Sequence, residues 1–347
     1  MKDRPASAAM WRYVADQTAR LDKRGAALAD RFGADGRGLL TDRARLLRLP
    51  SSGTVSSGGA CRLLRAADEW IAVSLARPDD ITAIPAWLDD GSVDPDVVGD
   101  DPWGVVEAHV RSRAGAELVE RATLLGLACA VVGEQADRRR TVVEHLGPAR
   151  GRPVAGARVV NLAALWAGPL TGQLLHRLGA KVTKVESIGR PDGGRRHPEL
   201  FDQLHAGADF VTLDWSTDEG RARLRGLLES ADVVIEGSRP RALEQLGIDA
   251  RAVVRHGPQV WVSITGHGRG GEHAMRVGFG DDAAAAGGLV DWIDGTPRFV
   301  GDAVADPLAG LTAAVAVVDA LEAGGRVLLD AALSRVAASV AGPIPPN

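Results

Sequence analysis

An α/β fold, a Rossmann-like mostly parallel sheet domain preceded by a smaller α+β domain, is what the 347 residues predict. Three observations point there. From residue 157 onward short apolar strands alternate with helical stretches, a pattern that suits a parallel sheet covered on both faces. Before residue 135 helical stretches surround one apolar hairpin, and a run rich in Arg, Gly and Pro separates the two regions. The expected division is therefore 1–135 for the smaller domain, 136–156 for a linker and 157–347 for the sheet domain.

In the first region, residues 8–32 place Trp11, Val14, Leu21, Ala27 and Leu28 at helical spacing among charges, and Leu39–Leu49 continues apolar until Pro50 stops it. Both read as packing surface. Seven of the nine residues from Ser51 to Gly59 are Ser or Gly, which reads either as a flexible connection or as a mobile lid. The lid reading names Ser57, Gly58 and Gly59, because small residues let a backbone approach a substrate closely and move about a hinge. A hairpin is expected over Arg62–Ala76, and helices near Ile81–Leu88, Pro102–Arg113 and Ala116–Leu127. In the linker, Arg138-Arg139-Arg140 reads as a solvated charge run.

In the second region strands are expected at 158–162, 181–186, 210–214, 231–236 and 260–266. Gly179 closes the helix between the first two, and Ser216 with Glu219 forms a capping box ahead of Leu224, Leu227 and Leu228. The first strand-to-helix turn, Trp166-Ala167-Gly168-Pro169, lacks the G-x-G-x-x-G that brings a backbone against a pyrophosphate, so NAD is disfavoured. A ligand is still expected outside the carboxyl ends of the strands. Arg190, Arg195, Arg196, Arg239, Arg241 and Arg269 stand just beyond those ends, where guanidinium groups can hold phosphates in bidentate fashion.

Composition narrows the function classes. With 41 basic and 45 acidic residues and a formal net charge of −4, the chain has no global basic field for nucleic acid or an anionic membrane. Cys61 and Cys129 are far apart in apolar company, poor material for a disulfide framework or a metal site, and no metal is expected. The charged, amphipathic start and the lack of a membrane-length apolar window predict a cytoplasmic protein.

One late stretch, Gly301 to Leu311, carries Asp302 and Asp306 into an apolar helix. Asp306 is expected as the helix N-cap with Pro307 at the first helical position, and Leu308, Leu311, Val315, Val318 and Leu321 recur as on one buried face.

Several segments, in order, make the chain resemble the class III acyl-CoA transferases, a family that includes formyl-CoA and carnitine CoA-transferases and the α-methylacyl-CoA racemases. They are Val160-Asn161-Leu162 with Trp166-Ala167-Gly168-Pro169, Leu178 to Glu186, Val211-Thr212-Leu213-Asp214, Ala231 to Glu236 with Arg239-Pro240, Leu243 to Gly247, Val262 to Gly266, and Asp306 four residues before Gly310. The resemblance implies that Asp306 is a nucleophile in ping-pong CoA transfer between carboxylic acids, with Asp302 as fallback. It implies CoA contacts at Trp166, Ala167, Ser187, Ser238, Arg239, Arg276 and Gly280, no cofactor beyond CoA as substrate, and a homodimer. A carboxylate at a helix N-terminus suits such chemistry, since the dipole favours its ionised form.

The departures open alternatives. The family's Asn-Arg-Gly-Lys run appears as His205-Ala206-Gly207-Ala208, which removes two basic groups and leaves room for a CoA-binding protein without turnover. Where the racemases have a histidine before their aspartate site, this chain has Phe279-Gly280 followed by Asp281-Asp282. Racemisation or epimerisation therefore ranks behind CoA transfer unless His267 or His273 supplies the base. The order of the domains also implies a permutation, with Ser56-Ser57-Gly58-Gly59 where the family's glycine lid would stand.

Overall fold

The computed structural model describes residues 5–89, 93 and 95–341, so Met1–Arg4 of the amphipathic start and the last six residues lie outside it. Twelve strands fall into three sheets among the described residues. β1 (Cys61–Arg65), β2 (Trp70–Ser74) and β3 (Ala128–Val131) make a small antiparallel sheet in that order. β10 (Val290–Ile293) and β11 (Thr296–Phe299) form a hairpin.

The large sheet is built from β4 (Val142–Gly147), β5 (Arg158–Asn161), β6 (Lys181–Ser187), β7 (Asp209–Leu213), β8 (Val233–Glu236), β9 (Val260–Thr265) and β12 (Arg326–Ala332). Their spatial order is β4-β12-β9-β8-β5-β6-β7. Every neighbouring pair is parallel except β4 with β12. Taken from the opposite edge, the six parallel strands run third, second, first, fourth, fifth, sixth, the doubly wound order with its crevice between the first and fourth strands. The central strand Val233-Val234-Ile235-Glu236 is buried throughout, as a sheet covered on both faces requires.

The five strands expected in the second region are β5 to β9. Two further strands of this sheet are not marked in the sequence. β12 escapes notice because its Arg-Val-Leu-Leu-Asp-Ala-Ala run follows a helix of similar apolar content and has no alternation to mark it. β4 lies inside the expected linker; as the antiparallel edge strand it alternates half-buried and exposed residues, a weak signal beside so many arginines and glycines.

The small unit has its own core, running from Leu64 to Val131 through Trp87, Val106 and Leu118. Residues 6–46 pack elsewhere: Met10, Tyr13, Val14, Leu21, Leu28, Leu39 and Leu40 join the core that contains β5, β8, β9 and β12. The helical pattern expected over 8–32 is broken into helices Pro5–Asp22 and Leu28–Phe32, with Gly25 and Ala27 at positive φ between them. The Asp22 carboxylate restarts the chain by accepting from the Leu28 N–H at 2.6 Å. A third helix, Gly38–Leu46, follows.

Helix Ala305–Ala323 is the axle of this arrangement. It is apolar on nearly every side, because helix Ala167–Arg177 packs against one face and helix Pro5–Asp22 against another. Gly310 allows the first contact, since a Cβ there would lie 2.6 Å from the Ala167 carbonyl oxygen. Tyr13 and Thr312 make a buried hydroxyl–hydroxyl hydrogen bond of 2.5 Å across the second. The helix connects β9 to β12, so its N-terminus stands at the carboxyl ends of the parallel strands. No helix of the described residues is long and apolar enough to cross a membrane.

Candidate active site

Asp306 is the second residue of that helix. Val304 is the N-cap and Pro307 the third helical residue, two positions later than the expected cap arrangement. Its backbone N–H closes a turn on the Ala303 carbonyl at 3.0 Å, and Ala303 itself sits at φ 43°, so the chain makes a tight left-handed step just before the helix. The carboxylate remains in the positive end of the helix, as expected.

Gly280 opens the second wall of the site. It begins helix Gly280–Ala286, and a Cβ on it would come within 2.4 Å of both the Asp306 Oδ2 and the Ala303 carbonyl oxygen. Only glycine lets the two helix starts approach this closely. The next two residues are acidic. Asp281 accepts from the Ala303 N–H at 2.9 Å and from the Ser56 hydroxyl; Asp282 accepts from the Ser74 hydroxyl at 2.7 Å and the Phe279 N–H at 3.0 Å. Asp302 is buried and pairs with Arg43. The Arg43 guanidinium also lies over the Trp166 ring, 5.4 Å from its centroid.

Four carboxylates therefore share one enclosure with one guanidinium. Burial pushes the Asp306 carboxyl up to about 7; Arg43 pulls it down, and Asp281, Asp282 and Asp302 add to the rise. Burial likewise lifts Asp282 to about 7 and Asp281 to about 6, and raises Asp302. Near neutrality the cluster keeps some of its protons.

The Ser/Gly stretch approaches from the small unit. It is fastened at its base: Phe299 N–H donates to Gly53 O at 2.9 Å, Leu63 N–H to Thr54 O at 2.8 Å, and the Ser52 hydroxyl to Phe299 O at 3.1 Å. Ser56 and Ser57 are buried, whereas Gly58 and Gly59 form an exposed tip. A Cβ on Gly58 would lie 3.7 Å from the Arg43 Nη2, which puts the tip beside the carboxylate cluster.

The expected CoA contacts divide. Trp166 and Ala167 open helix Ala167–Arg177 at the carboxyl end of β5, and the Trp166 indole, stacked under Arg43, belongs to the enclosure. Ser187 ends β6 and Ser238 follows β8, its hydroxyl donating to Glu236 at 2.9 Å; Arg239 is exposed beside it. These lie along the same sheet edge. Arg276 is engaged differently: it donates to Glu134 at 2.5 Å and to the Cys129 carbonyl at 3.0 Å, tying the loop to the small unit. Arg195 is held by Glu186, and Arg269 by Glu236 at 2.7 Å and Ser263 at 2.8 Å, so neither guanidinium waits unpaired at a strand end. Arg190, Arg196 and Arg241 are exposed.

Two histidines weighed as bases are not equivalent. His267 is buried and burial holds it well below its ordinary range, so it is neutral; His273 is on the surface, 3.6 Å from Glu272. His205, which replaces an expected basic run, is buried against Lys184 and Asp192, and burial followed by the Lys184 charge lowers it to about 4. Lys184 itself is buried and pairs with Asp192 at 2.8 Å. Among the described residues no cluster of His, Cys, Asp and Glu has the arrangement to hold a metal ion.

Arg43 and Ser74 carry no mark in the sequence. Arg43 lies in a helix with Arg45 and close to Arg48, and nothing local distinguishes it from a solvated neighbour.

Residues 154–344, more than half of the chain, match the family model for CoA-transferase family III. The chain is 33% identical over 182 residues to the succinyl-CoA–D-citramalate CoA-transferase of Chloroflexus aurantiacus, covering 49% of this chain and 45% of that one. It is 31% identical over 215 residues to the succinate–glutarate CoA-transferase of Agrobacterium fabrum, covering 56% and 54%. A CAIB/BAIF family protein from Brucella suis of known structure is 34% identical, with a TM-score of 0.49 over 55% of this chain and 56% of that one. The chain spans about half the length of the curated relatives it matches. The matched region contains Trp166, Gly280, Asp302 and Asp306 and excludes Arg43 and the Ser/Gly tip. By its sequence over this region, the chain is a member of CoA-transferase family III.

Proposed function

We propose that this chain moves CoA between carboxylic acids, with Asp306 as the covalent nucleophile. The supporting observation is the place of the Asp306 carboxylate: in the first turn of a helix at the carboxyl ends of the parallel strands, inside the family-matched region.

The Asp306 carboxylate oxygen attacks the thioester carbon of an acyl-CoA, the C–S bond breaks, and CoA leaves as a thiolate from a mixed anhydride. The thiolate returns to the aspartyl carbonyl, releasing the first acid as a carboxylate and leaving an aspartyl–CoA thioester. The acceptor carboxylate attacks that carbon, CoA leaves again, and the thiolate then takes the acceptor's acyl group and frees Asp306. Each step exchanges one acyl bond for another. The ionised form is the reactive one, so with a carboxyl near 7 the rate rises as pH increases through neutrality.

The Gly58-Gly59 tip shields the anhydride from water, and Trp166, Ala167, Ser187, Ser238 and Arg239 line the path of CoA along the strand ends. The substrates are an acyl-CoA and a carboxylic acid, and the working form is a homodimer in a reducing cytoplasm. Hydroxylamine or borohydride added with acyl-CoA is expected to modify Asp306. Transfer by an Asp306→Ala protein at more than about one-hundredth of the parent rate sinks the proposal.

A second reading has one observation in its favour: Asp281 and Asp302 stand beside Asp306 and give the site further proton carriers. Solvent deuterium incorporated at the α-carbon of a 2-methylacyl-CoA, without transfer, selects racemisation instead.

A further inference from the structure

The match to the family begins at residue 154, yet the cation that pairs with Asp302 in the carboxylate cluster comes from residue 43. We propose that Arg43, carried by the N-terminal helix Gly38–Leu46, is a positioning residue that completes the site by favouring the ionised form of Asp306. This rests on the reading of Asp306 given above.

The geometry supports an electrostatic role. Arg43 is fixed from two sides, by the Asp302 carboxylate and by the face of the Trp166 ring, and the Gly58 tip lies against it. Its helix is seated by Leu39 and Leu40 in the core that also holds Leu308 and Leu311 of the Asp306 helix. The guanidinium therefore cannot drift away from the cluster without unpacking a wall of the enclosure.

The groups facing Asp306 come from three other elements. Asp281 and Asp282 lie on helix Gly280–Ala286, Asp302 precedes the Asp306 helix, and Arg43 is on the N-terminal helix. Nearby Cys61 is buried, and burial keeps its thiol protonated, so it adds no charge. One fixed positive charge thus offsets what would otherwise be carboxylate repulsion alone, and Arg43 is the leading influence that favours the charged form of Asp306. Asp302 takes the contact that Asp306 leaves free. It anchors the guanidinium while Asp306 keeps its oxygens for the substrate.

The test uses the full chain and reads both charge and chemistry. Aspartate carboxyl carbons labelled with ¹³C are titrated by NMR in the parent, Arg43→Met and Arg43→Lys proteins, with Asp306→Asn used to assign the Asp306 signal. The expected midpoint for Asp306 rises by about 1 pH unit or more in Arg43→Met, the size associated with losing a neighbouring opposite charge, and returns most of the way in Arg43→Lys. The acidic limb of kcat/KM for CoA transfer moves with it. An unchanged Asp306 midpoint in Arg43→Met, with circular dichroism showing a folded chain, overturns the proposal. If Arg43→Met proves unfolded, Arg43→Gln, which keeps a polar head without the charge, decides: its Asp306 midpoint must rise, and no rise overturns the proposal. The reading of Asp306 fails separately, when Asp306→Asn still transfers CoA; the NMR titration does not depend on that outcome.

Discussion

Asp282 carries the clearest consequence for pH at the scale of a residue. Its carboxyl is buried against Ser74 and the Phe279 N–H, and burial lifts it to about 7. In the unfolded chain an aspartate titrates near ~4, so the folded form binds the proton more tightly. The stability this supplies is present in full below ~4 and is lost as pH rises from there through about 7. Asp282→Asn keeps the shape and removes the charge. The difference in Tm between Asp282→Asn and the parent is expected to be more favourable to the variant at pH 8 than at pH 5, by ~2 °C or more, as read by calorimetry. Equal differences at the two pH values contradict the assignment. Asp306 itself is legible because its spacing to Gly310 and the apolar run behind it are local, but its place in the helix differs from the expected cap by two positions. The step at Ala303, φ 43°, starts the helix early, and an alanine in that conformation leaves no sequence trace.

Helix Ala305–Ala323 is expected from its spacing to bury one face and instead buries nearly all of them. The expected stripe at Leu308, Leu311, Val315, Val318 and Leu321 is there, but Ala309, Gly310, Ala313 and Ala314 between its members are buried too. Small residues are ambiguous in sequence, since alanine suits both a surface and a tight helix–helix contact. Gly310 shows the tight contact: because a Cβ at this position would stand 2.6 Å from the Ala167 carbonyl oxygen, Gly310→Ala is expected to cost about 1–3 kcal/mol, measured by urea unfolding. A loss below ~0.5 kcal/mol means the two helices separate without strain. Capping at Ser216 is displaced by one residue for a similar reason. Thr217 accepts the Gly220 N–H at 3.0 Å, while Ser216 is used by Asp214, and the sequence places both hydroxyls in contention.

For the whole molecule, residues 6–46 behave as an outer layer of the sheet domain. Arg20 and Arg24 pair with Asp319 and Glu322 on the Asp306 helix, and beneath these surface pairs Met10, Val14 and Leu21 are fully covered. The exposed ion pairs contribute little on their own; the apolar burial carries the attachment. A chain starting at residue 50 is therefore expected to expose one side of helix Ala305–Ala323, to bind a hydrophobic dye and to lose several degrees in Tm. A truncated chain that melts like the parent removes the case for an integral layer. The Ser/Gly stretch gains meaning only at this scale: tied to Phe299 and Cys61, it presents its exposed Gly58-Gly59 tip beside Arg43.

The sequence by itself determined the parallel strands β5 to β9, the absence of a dinucleotide fingerprint, and the aspartate at the head of a buried helix. These are written in neighbours a few residues apart, through burial period, turn chemistry and helix starts. Only the tertiary structure decided that β4 and β12 complete the sheet, that the N-terminal helices belong to its core, and that Arg43 meets Asp302 across 259 positions of chain. An ion pair so distant in sequence is set by how three layers pack against one helix, and no local pattern records which of several similar arginines that packing will enclose.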